Sequence, residues 1–292
     1  MSIDRLQDKI RKMKNPMVLS FSGSFRCIPA HILENKSNLV DAYREYCVSM
    51  LESLAESVPA VRFSFQNFAL MGPEGLDLLQ ALLVQAGKLG YYVILDGPES
   101  LSEQDAVFAA KRLFCKDASW FFDGLLITSY IGSDGIRPYA ERMKEVDKDL
   151  FVVIRTANRT APELQDLLSG SRLMHLANAD IISRFSLEHI ARSGYSCVGA
   201  LAGASSADSL RLLRSKYKQL FLLLDGADYP NANAKNCSFA FDTLGRGAAA
   251  CVGMSVTGAW QQAQTDGTDY LQQASAAVER MKKNLNRYIT IL

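Results

Sequence analysis

The chain reads as a single (β/α)8 barrel, and three features of its 292 residues point there. Eight short apolar runs lack polar alternation, the pattern of strands buried on both faces. Between them lie segments with apolar residues at three- and four-residue steps, so strands and helices alternate as in parallel α/β architecture. A chain of this length with 48% hydrophobic residues can bury one barrel-sized core.

The elements follow in order. Ile3, Leu6, Ile10 and Met13 mark one face of a helix over about residues 2–14, with Lys9, Arg11, Lys12 and Lys14 on a solvated face. Standing before the first strand, this helix is expected to cover the barrel bottom. Strands are expected at Met17–Ser22, Ala60–Phe65, Tyr91–Asp96, Gly124–Thr128, Leu150–Thr156, Tyr195–Leu201, Gln219–Leu224 and Ala249–Met254. Leu39, Tyr43, Cys47, Met50, Leu51 and Leu54 have the spacing of a helix after the first strand. Pro73 suits the first turn of the helix carrying Leu76, Leu78, Leu79, Leu82 and Leu83, and Gly87 and Gly90 suit its end. Ser102 and Asp105 read as a cap opening the next helix, and the segment from about Thr268 to Tyr288 as a long closing helix. No linker, repeat or low-complexity stretch divides the chain, so residues 1–292 are expected to form one domain.

Composition excludes several classes of function. With 32 basic and 31 acidic residues, bulk charge draws the protein to neither nucleic acid nor an anionic membrane. The N-terminal segment has no apolar signal core, and no apolar run approaches the roughly 18 residues of a spanning helix, so a cytoplasmic location is expected. The six cysteines have no CxxC spacing and read as free thiols. His31, His175 and His189 lack metal-ligand spacing and read as structural or surface residues, so no metal site is expected.

Barrels bind ligands at the C-terminal ends of their strands. The ligand-binding candidates among those ends are Ser22, Arg62, Asp96, Thr128, Thr156, Asn158, Asp225 and Tyr229. Arg62 and Asp96, on neighbouring strands, are suited to an internal ion pair, and Thr156 and Asn158 could equally cap the next helix through backbone hydrogen bonds. Gly245-Arg246-Gly247 precedes a strand and so does not form a phosphate loop.

Five phrases carry a resemblance: Ile3-Asp-Arg-Leu-Gln7, Tyr130-Ile-Gly-Ser-Asp-Gly-Ile136, Val153-Ile-Arg-Thr-Ala-Asn158, Glu163-Leu-Gln-Asp166 and Ser193-Gly-Tyr-Ser-Cys-Val-Gly-Ala200. In order and spacing they resemble the long bacterial (type 2) form of orotidine 5′-phosphate decarboxylase across almost the whole chain. The resemblance implies a cofactor-free carboxy-lyase of pyrimidine biosynthesis, in which a lysine protonates a carbanion and aspartates crowd the departing carboxylate. That family's signature, Asp-x-Lys-x-x-Asp, falls at the end of the third strand. Here Asp96 matches the first aspartate, but Pro98 stands at the lysine and Leu101 at the second aspartate.

Proline offers no proton, so the general-acid step has no source. Ser22 replaces the aspartate that usually holds the ribose, and Arg62 replaces a strand-two lysine, keeping charge without proton donation near neutrality. Thr156-Ala157-Asn158 lacks the serine that reads the base, and Met254 aligns with the phosphate-binding arginine. If Asp225 lay about 4 Å from a phosphate charge, repulsion would reach roughly 4 kcal/mol, or about three decades of affinity. The expected function is therefore a family member without decarboxylase activity that binds a small molecule or a partner, with no confident catalytic residue and with Asp96 and Arg62 as remnants of the family site. Because the family's enzymes share sites across a dimer interface, a homodimer or a heterodimer with a paralogue is expected. Two alternatives stand beside it. One is a barrel enzyme with repurposed chemistry on Arg62, Asp96, Glu99, Arg155 and Asp225; the other is a genuine decarboxylase making UMP.

Overall fold

The computed structural model describes residues 1–22, 24–143 and 145–292, and its eight long strands are parallel and close into a barrel. They are β1 (Met17–Phe21), β2 (Ala60–Ser64), β3 (Tyr92–Asp96), β4 (Gly124–Thr128), β5 (Asp149–Arg155), β6 (Val198–Gly203), β7 (Leu222–Asp225) and β8 (Ala248–Val252). Each pairs with its sequence neighbours, and β1 closes the ring on β8 through Met17↔Ala250 to Leu19↔Val252. The outer helices are α1 (Ser2–Met13), α2 (Leu39–Leu54), α3 (Pro73–Lys88), α4 (Glu103–Leu113), α5 (Arg137–Arg142), α6 (Met174–Leu187), α7 (Ala207–Lys216) and α8 (Tyr270–Asn286). After β7 the crossover shrinks to the single short helix Ala234–Ser238.

Local chemistry sets the boundaries. Pro73 opens α3 behind Gly72, and Ser102 caps α4 by accepting the backbone N–H of Asp105. The sixth strand starts at Val198 instead of Tyr195, because Ser196 is engaged in an antiparallel bridge with Ile190 and Cys197 donates its N–H to the His189 carbonyl. The eighth ends at Val252, where the chain turns into the short helix Met254–Thr257. A small hairpin, Leu168–Ser169 against Arg172–Leu173, sits between β5 and α6; no apolar run announces it.

The apolar face of α1 is buried, and its polar residues grip the N-terminal ends of strands. Gln7 accepts the N–H of Gly247 just before β8, Asp4 accepts the N–H of Ser193 ahead of β6, and Arg5 pairs with Asp123 just before β4. The helix thus lies against the N-terminal ends of β4, β6 and β8. Inside, large and small side chains alternate. A Cβ on Gly124 would lie 2.7 Å from the Phe151 ring and 2.9 Å from the Tyr92 hydroxyl, so only glycine admits these two aromatic residues to the barrel centre.

One charge is buried with them. Asp149 is fully buried at the start of β5 and accepts a 2.5 Å hydrogen bond from the Tyr92 hydroxyl. Burial lifts its pKa to about 7, against the lowering effect of hydrogen bonds from Tyr92, Cys197 and Ser2. Between about pH 4, where the unfolded aspartate titrates, and about 7, the folded chain holds a proton that the unfolded chain has lost, so stability falls as pH rises. The expected loss is at most roughly 4 kcal/mol. Urea unfolding across this window should therefore show a flatter profile for Asp149→Asn than for the parent. Parallel profiles would place the Asp149 titration elsewhere.

Candidate functional site

The C-terminal strand ends open into a cavity of about 440 Å³. Alternation along β2 puts Ala60, Arg62 and Ser64 on one face, and parallel register sets Ser20 beside Arg62 and Ser64 beside Asp96. Arg62, Ser64 and Asp96 all line the cavity, so this face looks into the mouth. Asp225 closes β7 from the other side, its register partner being Gly203 of β6, which carries no side chain.

Arg62 organises the site. Its Nε donates to Asp96 Oδ1 at 2.7 Å and its Nη1 to Asp225 Oδ1 at 2.9 Å, tying three strands together across the mouth. The side chains are 16%, 23% and 23% exposed, so water screens the triad only in part. Burial by itself would lower the pKa of Arg62, but the attraction of Asp96, the nearby Cys251 thiol and Asp225 outweighs it and the pKa is raised. Burial raises the pKa of Asp96, and Asp225 adds to the rise while Arg62 opposes it. Burial also pushes the Cys251 thiol up to about 12, so this cysteine, although it lines the cavity, is not a thiolate nucleophile near neutrality.

Two further groups complete the mouth. Asp228 Oδ2 accepts the backbone N–H of Gly253 at 2.8 Å and of Ser255 at 3.2 Å. Tyr229 is exposed at the rim, its hydroxyl pKa raised by burial and by the charges of Asp225 and Asp228. Of the sequence candidates, Ser22, Arg62, Asp96, Asp225 and Tyr229 line the cavity, and Thr128, Thr156 and Asn158 do not.

For Thr156 and Asn158 the reason lies in β5. Its register with β6 shifts between Val153 and Arg155, and such an irregularity re-aims the end of a strand. Arg155 turns beneath the following loop, where Asp166 takes both its Nε and Nη2 at 2.9 Å. Asp166 also lies 3.0 Å from His175 Nδ1, and the Arg155 hydrogen bonds first among several hold its pKa low. Thr156 exchanges hydrogen bonds with Gln165, and Asn158 donates to Thr160; neither side chain caps a helix. Arg155 is thereby removed from the set of mouth groups, and Glu99 is exposed outside the cavity. Thr128 is exposed at the end of β4.

Sequence reasoning missed Ser20, Ser64, Cys251 and Gln262 among the lining residues. Ser20, Ser64 and Cys251 lie inside apolar runs, where period-two placement could have found them. Gln262 sits beyond β8 in the short helix Ala259–Gln262, and no local signal marks it. Among the described residues no group of three or more His, Cys, Asp or Glu is placed to hold a metal ion, and no helix is long and apolar enough to cross a membrane.

Comparison with known proteins gives a consistent picture. No protein-family profile matches the chain. It is 26% identical over 219 residues to orotidine 5′-phosphate decarboxylase of Rhodopirellula baltica, covering 74% of this chain and 72% of that one. It is 23% identical over 286 residues to the enzyme of the same name from Clostridium botulinum, covering 98% and 99%. Among solved structures, OMP decarboxylase of Leishmania donovani superposes with a TM-score of 0.73 at 20% identity over 99% of both chains. Orotidine 5′-monophosphate decarboxylase of Plasmodium berghei gives 0.77 at 11% identity, again over 99% of both. These superpositions establish a shared fold.

Removing the guanidinium tests the site's internal logic. Arg62→Met leaves two carboxylates facing each other, and the expected loss is roughly 3 kcal/mol, below the full cost of orphaning a buried charge because the triad is part-exposed. The loss should shrink in acid, where Asp96, with its raised pKa, takes up a proton. Urea melts at pH 4.5 and 7.5 check this; equal losses at both would detach Asp96 from the effect.

Proposed function

The chain belongs to the orotidine 5′-phosphate decarboxylase family, and we propose that it is a member that no longer decarboxylates and acts by binding a small molecule or a protein partner. The observation that carries this reading is Pro98. It follows Asp96 by two residues, at the position where the family resemblance requires the proton-donating lysine, and it has neither a side-chain donor nor a backbone N–H. Among the described residues no lysine lines the cavity; the cation there is Arg62, whose raised pKa forbids it to give up a proton near neutrality.

The phosphate end supports the same reading. In such barrels phosphate groups commonly sit at the loops after the seventh and eighth strands. Those loops here bring Asp225 and Asp228 to the cavity, and Asp228 already takes two backbone N–H groups at the end of β8. A phosphorylated ligand would meet carboxylates where it needs donors.

A second reading, an enzyme with other chemistry, draws on one observation: the cavity is open, and it holds a carboxyl group, Asp96, of raised pKa. Only Arg62, Asp96 and Asp225 of the ionisable groups first assigned to it line the cavity, which narrows that chemistry to acid–base steps by Asp96.

A dimer belongs to the proposal. Leu70, Leu101, Tyr130 and Leu168 are exposed in the connections that follow β2, β3, β4 and β5, an arc along one side of the mouth. Leu101, 82% exposed, holds the place of the signature's second aspartate, in a family whose resemblance implies sites shared across a dimer interface. An apolar arc there suits a second copy of this chain or a paralogue.

Calorimetric titration of orotidine 5′-monophosphate tests the main reading. Neither sustained heat nor UMP is expected from the parent chain or from the Pro98→Lys, Leu101→Asp double variant; rapid turnover by the parent would overturn the proposal. For the dimer, sedimentation equilibrium should give about twice the 32.2 kDa chain mass, and Leu101→Asp should weaken association by roughly 1–3 kcal/mol. A monomer at micromolar concentration would refute a homodimer.

A further inference from the structure

We propose that the turn after β7 is a tethered anion occupying the mouth: Asp225 holds the Arg62 guanidinium and Asp228 fills an oxyanion seat made by the backbone N–H groups of Gly253 and Ser255. An external oxyanion of the phosphate class binds only when these carboxylates are withdrawn. The inference rests on the reading above that the mouth has lost its nucleotide chemistry, and it adds the contact that keeps anions out.

The turn is shaped for this contact. Gly226 has φ +61°, a left-handed conformation that L side chains rarely adopt, and a Cβ there would lie 2.7 Å from the Tyr229 ring and 2.8 Å from Ala157 Cβ. Tyr229 N–H closes the turn on the Gly226 carbonyl at 3.0 Å, and Ala227 N–H donates to the Cys251 carbonyl at 3.0 Å, so the turn is docked on β8. Asp228 is thereby carried back over the end of β8, and a single oxygen, Oδ2, receives both N–H groups.

Two converging backbone donors on one carboxylate oxygen form the kind of concavity that binds a free anion. Here the anion is supplied by the chain, three residues beyond Asp225, which with Asp96 holds Arg62, the only cation lining the cavity among the described residues. A group held on so short a tether competes at an effective concentration of millimolar order or above, so free phosphate at similar concentration finds both kinds of donor taken.

Titration of inorganic phosphate into the full chain at low ionic strength, followed by calorimetry, separates the possibilities without relying on turnover. The parent should show no saturable heat. Asp228→Ala empties the seat and removes its charge, and should bind phosphate at least about tenfold more tightly than the parent. Asp228→Asn removes the charge but leaves an amide oxygen able to accept the same two N–H groups, so its gain should be clearly smaller. Adding Asp225→Asn to Asp228→Ala leaves Asp96 as the one carboxylate on Arg62 and should tighten binding by about a further tenfold.

The order parent, Asn variant, Ala variant, double variant supports the proposal. Equal gains for Asp228→Ala and Asp228→Asn would reduce the effect to charge alone and overturn the occupied seat, as would no gain in variants whose thermal melts match the parent. Saturable phosphate binding by the parent would overturn it directly. Should the double variant fail to fold, the two single variants carry the same ranking. If phosphate binding appears in the ranked order while the parent also turns over orotidine 5′-monophosphate, the loss-of-activity reading fails and the tethered anion stands.

Discussion

A guanidinium placed inside a barrel mouth must be matched by anions, and the arrangement of the site follows from that requirement. Arg62 projects from β2 into a space walled by neighbouring strands, where a lone charge would be costly to hold. Asp96 on β3 answers from one side and Asp225 on β7 from the other, each within hydrogen-bond distance. Once both are present the triad carries net negative charge, and Asp96 is left with a raised pKa, chiefly through burial, with Asp225 adding to the rise. The mouth is thus satisfied internally and repels anions.

The barrel was legible because its cause is local and repeated. Every strand had to be apolar on both faces and every helix on one, so the runs at Tyr91–Asp96 and Gly124–Thr128 could be read almost to the residue. The N-terminal helix was legible as an apolar face, while its attachment was not: Gln7, Asp4 and Arg5 reach partners far away in sequence, and nothing in a short window announces such bonds. The hairpin at 168–173 escaped for the opposite reason, being too short and too exposed to leave a pattern.

The site divides along the same line. Residues that end a regular strand, such as Asp96 and Asp225, could be placed from the run that precedes them. Thr156 and Asn158 could not, because the register shift in β5 depends on pairing with β6, a relation between segments about 45 residues apart. The same shift accompanies the pairing of buried Arg155 with Asp166, which also meets His175, converting what looked like a mouth cation into a brace for the loop. Asp228 lies three residues past the end of β7, and its role could not be read locally, since that role depends on two backbone donors contributed after β8.

These two kinds of residue also keep the packing of the barrel separate from the residues of its mouth. The aromatic packing of Tyr92 and Phe151, the glycine at 124 and the α1 contacts lie in the centre and at the bottom. Pro98 and Leu101 lie beyond the end of β3, in a connection whose backbone still pairs with β4 through the Gly97 N–H and the Leu126 carbonyl. Proline is tolerated there because the residue that must donate to the ladder is Gly97, one position earlier. The scaffold therefore loses no backbone hydrogen bond to a proline at position 98, and stability places no demand on the side chain there.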